Sequence, residues 1–506
     1  MIAKINTAAI DGIKGVSVEV EVLTGNSSAT AFTIVGLADA AVRESRERVS
    51  SALKAYGASV PDKVLINLAP AEVKKEGTSF DLPMAVGILS ACQKIPPPSR
   101  AVYFLGELSL DSSIKEVRGI LPLVLAAKKG GAESVVVPYN NFSEAKLVPD
   151  IEIIPVSTIK DVIMYIEAGI VLDSPSSSTV FSLDSQKSSI TLDSIVGQTL
   201  GKRALVLSAA GGHNVLLVGP PGCGKSMLAK SLPSLLPPLS EKEKLETASI
   251  YSIAGKDLKK ILCGIRPFRS PHHVITDVGL IGGGTHFKPG EVSLAHNGVL
   301  FLDEFPEFKR SALEALRAPL EDKRVQIVRA RGGAEYPANF QLIAAMNLCP
   351  CGLLGTDEDE CRCTRSALLS YLKKISAPIL DRIDLNVNVH KVPLKDLLTS
   401  TSKGSLTSHY RREIKAARSL QFKRQGKLNK DLEKDELLKQ IETNALHYFS
   451  ETIEKTSLTA RSSLKVLRVA RTIADLNKES LVKKEHLLEA LSFKAFDRLY
   501  RYALAA

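Results

Sequence analysis

Gly219-Pro-Pro-Gly-Cys-Gly-Lys-Ser226 satisfies every fixed position of the phosphate-binding pattern G-x-x-x-x-G-K-[ST]. Its flanks supply the setting that the pattern needs. Gly212-His-Asn-Val-Leu-Leu-Val218 reads as a buried strand entering the loop, and Met227-Leu-Ala-Lys-Ser-Leu232 as the helix leaving it. Glycines let backbone N–H groups turn toward phosphate oxygens, and the start of a helix adds a favourable dipole. Gly219, Pro220, Pro221, Gly222, Cys223, Gly224, Lys225, Ser226 and Met227 are therefore the expected nucleotide contacts. Lys225 would hold the β- and γ-phosphates and the Ser226 hydroxyl would ligate Mg²⁺. The stretch predicts an α/β domain with a parallel sheet and a bound nucleoside triphosphate.

Downstream, Gly298-Val-Leu-Phe-Leu-Asp-Glu304 is an apolar run ending in two carboxylates, the pattern of a buried parallel strand whose carboxyl end opens on a site. Asp303 would hold Mg²⁺ through water, and Glu304 would orient or deprotonate an attacking water. Phosphoryl transfer needs such positioning and charge stabilisation more than covalent chemistry. A strand followed by an acidic helix cap is the other reading of the pair. The phosphate loop upstream favours hydrolysis.

The 506 residues suggest about three domains at roughly 150 residues each. Apolar content of 44% and charged content of 24% are ordinary for a globular protein. No apolar run is long enough to span a membrane, no signal-peptide pattern opens the chain, and seven cysteines do not suggest a secreted disulfide framework. The expectation is a cytoplasmic protein. Of the net +11, most lies beyond Thr401, where about 22 Lys+Arg face about 13 Asp+Glu. A basic module suits a polyanion such as nucleic acid, although a solvated helical surface would have the same balance.

Residues 1–170 alternate strand and helix patterns: a helix over Asp39–Tyr56, a strand at Lys63–Leu68, a buried helix over Asp81–Cys92 and a strand at Ser134–Pro138. Residues 171–191 form a Ser-rich linker. The nucleotide-binding core spans 192–395, and 396–506 is helical by pattern. Two elements interrupt the core. Gly279-Leu-Ile-Gly-Gly-Gly-Thr-His-Phe-Lys-Pro-Gly290 is too Gly-rich for a helix. Arg324–Pro337 reads as a hairpin around a Gly332-Gly333 turn, with Arg329 and Arg331 near its tip. Basic residues on such loops can grip a phosphate backbone, or can simply be solvated.

Together these motifs resemble the AAA+ ATPases. Asp193-Ser-Ile-Val-Gly-Gln198 is similar to the segment near the adenine, which implies contacts from Val196 and Gln198. Asn347, after Gln341-Leu-Ile-Ala-Ala-Met346, matches the sensor 1 that positions the lytic water with Glu304. Leu380-Asp-Arg-Ile-Asp384 resembles the arginine-finger segment, so Arg382 would reach a neighbour's γ-phosphate, which implies a ring, a homo-hexamer. Arg461, in Leu458-Thr-Ala-Arg-Ser-Ser463, matches the sensor 2 arginine on a helical lid.

Phe268-Arg-Ser-Pro-His-His273, Ala344-Ala-Met-Asn-Leu-Cys-Pro-Cys-Gly352 and Arg468-Val-Ala-Arg-Thr-Ile-Ala-Asp-Leu476 are similar to signatures of the magnesium-chelatase-like branch, and within it of the ComM/YifB family of competence-related proteins. That resemblance implies a DNA helicase promoting branch migration in natural transformation, with DNA and recombination proteins as partners. It makes Lys288, Arg329 and Arg331 the DNA-contact candidates. The rival is a chelatase-like motor that remodels a partner protein. Residues 1–170 resemble the Lon protease domain. Lys75-Glu-Gly-Thr-Ser-Phe80 sets Ser79 near the protease nucleophile, but Leu121 stands where the partner lysine belongs. A serine without a base is not activated, so the resemblance implies a non-proteolytic domain.

Cys349-Pro-Cys351 and Cys361-Arg-Cys363 form a C-x-C…C-x-C set, and four thiolates can satisfy tetrahedral Zn²⁺. A structural zinc just past Asn347 is the expectation, with reduced thiols on a mobile loop the alternative. His272 and His273 could ligate a metal, but packing or a DNA-facing role is the plainer reading.

Overall fold

Alternating valines and glutamates open the chain as a ribbon. β1 (Ile2–Asp11) and β2 (Lys14–Gly25) pair antiparallel from Ile2↔Leu23 to Asp11↔Lys14. Val18, Val20 and Val22 turn inward, while Glu19 and Glu21 turn outward to meet Lys4 at 2.8 and 2.7 Å. The computed structural model describes the whole chain except residues 1, 26–30, 172, 174–189, 285–286, 330–331, 355–360, 394, 396–404, 457–458 and 495–506. It divides into two units, Met1–Ser182 with Lys244–Leu262 and Gln326–Tyr336, and Leu183–Glu243 with Cys263–Val325 and Pro337–Ala506.

In the first unit β3 (Ala31–Val35), β4 (Lys63–Ala69), β5 (Val102–Phe104), a small ladder of β6 (Glu107–Leu108) with β7 (Ile114–Lys115), β8 (Ser134–Pro138) and β9 (Glu152–Val156) follow. All but the ladder join a mixed sheet in the order β3-β4-β2-β1-β5-β8-β9. The helix Ala40–Tyr56 starts where the Asp39 side chain accepts from the Val42 N–H at 2.8 Å, and it buries Val42, Val49, Ala52 and Leu53 at helical spacing. The helix Asp81–Ala91 is buried along its whole length. Its first residue, Asp81, is fully buried and accepts from Arg48 Nε at 2.7 Å, Arg48 Nη2 at 3.0 Å and the Leu108 N–H at 3.2 Å. Burial pushes the Asp81 carboxyl up, and the Arg48 guanidinium opposes that push.

Two later segments belong to this unit. Ser252 accepts from the Gly119 N–H at 3.3 Å, and Ala334 lies against Gly12. Tyr336 is buried, and that burial, then the Glu76 charge, pushes its phenol up to about 12.

The second unit is built on a parallel sheet. β10 (Val215–Val218), β11 (Phe268–Arg269), β14 (Val299–Leu302), β17 (Gln341–Met346) and β18 (Leu385–Asn388) lie in the order β11-β14-β17-β10-β18. β10, β14 and β17 are buried throughout, as continuous apolar runs in covered parallel sheets are. The helices Leu406–Gln425, Thr443–Thr456, Ala460–Leu476 and Lys484–Ser492 share one core with the sheet, in which Leu217 and Ile343 join Ile414, Phe449, Val466 and Ala470. Asp475, almost fully buried, anchors this helical part by accepting from Arg471 at 2.6 Å and Arg424 at 2.7 Å.

Two inserted elements differ from the sequence reading. The Gly-rich stretch opens with a helix, Asp277–Ile281, because the Thr276 hydroxyl caps it by accepting from the Gly279 N–H at 3.1 Å. Only after it come β12 (Gly282–Gly283) and β13 (Lys288–Pro289), paired antiparallel. The hairpin is present as β15 (Arg324–Arg329) and β16 (Gly332–Pro337), but Gly332 and Gly333 lie in its second strand rather than at the turn. A Cβ on Gly333 would meet the Ile327 carbonyl oxygen at 2.9 Å, so a close cross-strand approach explains that glycine. Most of the Ser-rich linker (172 and 174–189) and the C-terminal residues from 495 lie outside the described residues.

Removing Arg48 would leave Asp81 buried without its cation. Arg48→Met is expected to destabilise the full-length protein by about 3 kcal/mol in chemical denaturation, the usual cost of orphaning a buried charge. A change below about 1 kcal/mol would show that Asp81 is satisfied without the arginine.

Candidate functional site

The strand order fixes where a ligand can sit. β10 is the fourth of the five strands, between β17 and β18, so the connections diverge on either side of it, and ligands of open parallel sheets bind beyond the carboxyl ends at such a point. Parallel pairing brings three carboxyl ends together there. The Gly219–Ser226 loop leaves β10, Asp303 and Glu304 leave β14, and Asn347 leaves β17.

Lys225 is the first residue of the helix Lys225–Ser231 and is only 8% exposed. Its Nζ donates to the carbonyls of Gly219 at 2.8 Å and Pro220 at 2.7 Å, and to Asn347 Oδ1 at 3.2 Å. Burial pushes its pKa down. Gly222 and Gly224 take positive φ, 74° and 93°, and an added Cβ at either would meet no atom within 4 Å. The loop thus has the left-handed turns that aim N–H groups at one point, and open space beside them. Ser226 Oγ donates to Asp303 Oδ2 at 2.6 Å. The two oxygens converge as ligands of one hard cation would, so the residues fit Mg²⁺. Both groups can hold the ion, which would bridge and neutralise phosphate oxygens.

Val196 and Gln198 line a cleft of about 270 Å³ together with Gly222, Cys223, Gly224 and Met227. Gln198 Nε2 fixes one wall by donating to the carbonyls of Cys223 at 2.8 Å and His390 at 2.6 Å. The site residues expected from the sequence on this side are therefore brought together. Glu304 is exposed, has a left-handed backbone (φ 51°), and pairs through Oε2 with His273 Nδ1 at 2.9 Å. This contact was missed in the sequence, where His272 and His273 could be noticed but their partner could not.

Arg382 and Arg461 do not join this group. Both line a separate cleft of about 620 Å³ with Glu321 and Lys465. Arg382 precedes β18, so it stands at the amino end of a strand whose neighbour carries the phosphate loop at its carboxyl end. It is ion-paired with Glu321 and donates to the Pro378 carbonyl. Lys465, buried on the helix Ala460–Leu476, donates to the Ile383 carbonyl at 3.1 Å and so holds the chain next to Arg382. Neither Glu321 nor Lys465 carried a local sequence signal.

Among the DNA candidates, Lys288 is exposed on β13. Arg329 ends β15 with its side chain outside the described residues, and Arg331 lies outside them altogether. The four cysteines do come together, with Sγ atoms of Cys349, Cys351, Cys361 and Cys363 all within 4.8 Å of one another. In the first unit Ser79 is nearly buried, and Leu121, fully buried in the apolar helix Ile120–Lys129, offers no amine to activate it. No helix among the described residues is long and apolar enough to cross a membrane.

Lys225→Ala removes the ammonium that the loop carbonyls hold, and ATP affinity is expected to fall at least about a hundredfold, as loss of a desolvated charge contact of 3 kcal/mol or so implies. Glu304→Gln is expected to keep ATP affinity and lower turnover by about two orders of magnitude or more. Equilibrium binding of a fluorescent ATP analogue and single-turnover hydrolysis separate the two. Tight binding by the lysine variant, or normal turnover by the glutamine variant, would contradict the respective role.

Comparison with known proteins agrees with this geometry. Residues 191–397 match the family described as magnesium chelatase, subunit ChlI, residues 18–141 match subunit ChlI of Mg-chelatase, and residues 404–494 match the ChlI C-terminal family. Competence protein ComM of Haemophilus influenzae is 39% identical over 98% of each chain, and the protein YifB of Salmonella typhimurium is 38% identical over 98% of each. Lon protease 2 of Bacillus subtilis is 32% identical over 145 residues, 28% of this chain and 25% of its own. A phosphate loop at the switch point, a Lon-like amino-terminal region and full-length similarity to these relatives make the chain a member of the ComM/YifB family of magnesium-chelatase-like AAA+ ATPases.

Proposed function

We propose that the chain is an ATP-driven DNA motor, a helicase of branch-migration type acting in natural transformation and homologous recombination, whose ATP sites are completed between copies of itself in a hexameric ring. One observation carries the ring. β10 and β18 run parallel with Val215 opposite Leu385 and Val218 opposite Asn388, so Lys225 follows one end of the pair and Arg382 precedes the other. Four residues of strand, about 13 Å, separate the two ends. That separation supports a guanidinium that serves a neighbour's phosphate rather than the one held by its own Lys225. Arg461, in the same cleft, follows it. Beyond Lys225 and Mg²⁺, transition-state charge then gains its arginines only at an interface, which makes assembly a condition of full turnover.

DNA as substrate is supported by the positive balance beyond Thr401, by the exposed Lys288 on the insert, and by the similarity to a competence protein. On this reading recombination proteins are the partners and the cytoplasm is the compartment. ATP and Mg²⁺ are the working cofactors, and the four cysteines hold a structural zinc ion. The second reading is a motor that remodels a partner protein, favoured by the match to chelatase subunits.

The deciding experiment is ATP-dependent strand separation on labelled forked and Holliday-type DNA, with Lys225→Ala as control. Separation that requires Lys225 is the expected result. No separation, with ATP turnover indifferent to DNA, would favour protein remodelling. Mixing Arg382→Ala with Lys225→Ala tests the ring, because random assembly in a closed ring pairs an intact lysine with an intact arginine at about a quarter of interfaces. ATPase activity should reappear to about that extent, and no recovery from two singly inactive variants would refute a role for Arg382 in a neighbour's site. Arg329→Ala with Arg331→Ala should weaken DNA binding and flatten its log–log salt dependence by about 1.5–2, with basal hydrolysis retained. Unchanged DNA affinity would sink the hairpin grip.

A further inference from the structure

The four cysteines sit against the nucleotide site. Cys349 and Cys351 Sγ are 3.3 Å apart, Cys351 and Cys361 3.6 Å, and Cys361 and Cys349 3.7 Å. All four thiols are free, and these separations are far longer than a disulfide bond. They are close to the edge of a tetrahedron of sulfurs around one zinc ion, about 3.8 Å for a Zn–S distance of about 2.3 Å. An iron–sulfur cluster sets several atoms between its thiolates and needs them further apart. The Leu354 N–H donates to Cys349 Sγ at 3.3 Å, the kind of outer contact that orients a thiolate ligand. With four protein sulfurs no coordination position is left for substrate, so the site is structural by its chemistry.

What the knuckle touches gives it a task. Cys349 comes two residues after Asn347, whose Oδ1 accepts from Lys225. The loop then returns on itself, with the Gly352 N–H donating to the Cys349 carbonyl at 3.1 Å. Gly352 has φ +80°, and a Cβ there would meet Pro221 Cγ of the phosphate loop at 2.8 Å and the Asn347 amide nitrogen at 3.8 Å. On the other side Cys361 and Cys363 lead into the helix Arg365–Leu372, whose first turn Thr364 caps at 3.2 Å. Tyr371 on that helix is hydrogen-bonded to the Asn347 backbone. Asn347 is thus held from both chain segments that the sulfurs would join.

We propose that the four thiolates, releasing their protons to solvent, bind one zinc ion, and that the ion pins Asn347 and the Gly352–Pro221 contact, so that ATP turnover depends on the metal while ATP binding does not. The distinction follows from the partners. The loop carbonyls and N–H groups around Lys225 hold a nucleotide without the knuckle, whereas Asn347, one residue past β17, is held on its other side by the segment that the ion closes. Closing the Cys351–Cys361 loop through a metal removes chain entropy that a single weak hydrogen bond could not offset. The turnover half rests on the ATP-hydrolysis reading above. The metal half does not.

The test uses the full-length protein. Elemental analysis should find one zinc per chain. Cys351→Ser with Cys361→Ser, at positions that are not fully buried, should abolish that zinc and lower single-turnover hydrolysis about tenfold or more, with affinity for a fluorescent ATP analogue within about threefold. Gly352→Ala should keep the zinc and still lose turnover, because its methyl strikes Pro221. Iron in place of zinc, or no metal in an active wild type, would overturn the metal assignment and leave the hydrolase reading standing. Zinc lost with turnover unchanged would overturn the coupling alone. Parallel loss of ATP affinity in the cysteine variant would make the ion a general staple and also overturn the coupling. A wild type that holds zinc but hydrolyses no ATP would instead refute the hydrolase reading, and the coupling with it.

Discussion

A buried ammonium sets the terms for the nucleotide-binding unit. Lys225 is withdrawn from water and held by two carbonyls and a carboxamide, dipoles that offset part of its desolvation but carry no counter-charge. Its pKa falls accordingly. The nearest acid, Asp303, is bonded to Ser226 rather than to the lysine. A cation kept in this condition is stabilised most by an anion that arrives, and the open space beside Gly222 and Gly224 is where one fits. The unit is therefore more stable with a phosphate bound than without, and the binding energy is available to drive whatever the rest of the chain does.

Strand direction then divides the machinery. The carboxyl ends of β10, β14 and β17 bring Lys225, Ser226, Asp303 and Asn347 together, while Arg382, Asp384 and the helix bearing Arg461 and Lys465 gather at the amino end of β18. The same parallel pairing that makes the first group coherent makes it impossible for the second group to join it within one chain. Glu321 meanwhile neutralises Arg382, so the guanidinium is not left as a buried unpaired charge. Any partner that takes Arg382 must outcompete that carboxylate, and a phosphate with bound metal has the higher charge density to do so.

Much of this was legible in the residues and some was not, for identifiable reasons. Fixed spacing revealed the loop, and continuous apolar runs revealed β10, β14 and β17, because both signals are local. Asp39 announced its helix in the same way, by a capping carboxylate three residues before its donor. Gly279 misled because a side chain one turn away, Thr276, supplied what the glycine's propensity lacked. Gly333 misled because a cross-strand approach, not a turn, asked for it. The pairs His273–Glu304 and Arg382–Glu321 join residues 31 and 61 positions apart, and nothing within either segment encodes its partner. The cysteine set was visible as a pattern, but its place against Pro221 and Asn347 was not.

The amino-terminal region is similar to part of a Lon protease and carries a leucine where that resemblance expects a lysine. Similarity to a Lon protease and a serine in the corresponding place would together suggest peptide hydrolysis. Leu121 argues otherwise on physical grounds. It is fully buried among Ile120, Leu123 and Val124, and a lysine there would have to lose its charge or carry an acid with it. The described residues of that helix supply no such acid. The Leu121 N–H is hydrogen-bonded to the carboxyl of Glu144, which burial pushes up, so the acid beside this position is already engaged by the backbone. What remains is a sheet with two buried helices and a buried Arg48–Asp81 pair, equipment that maintains a shape. The region thus invests a buried ion pair in holding its form, and its helix sets an apolar side chain where the Lon resemblance expects an amine.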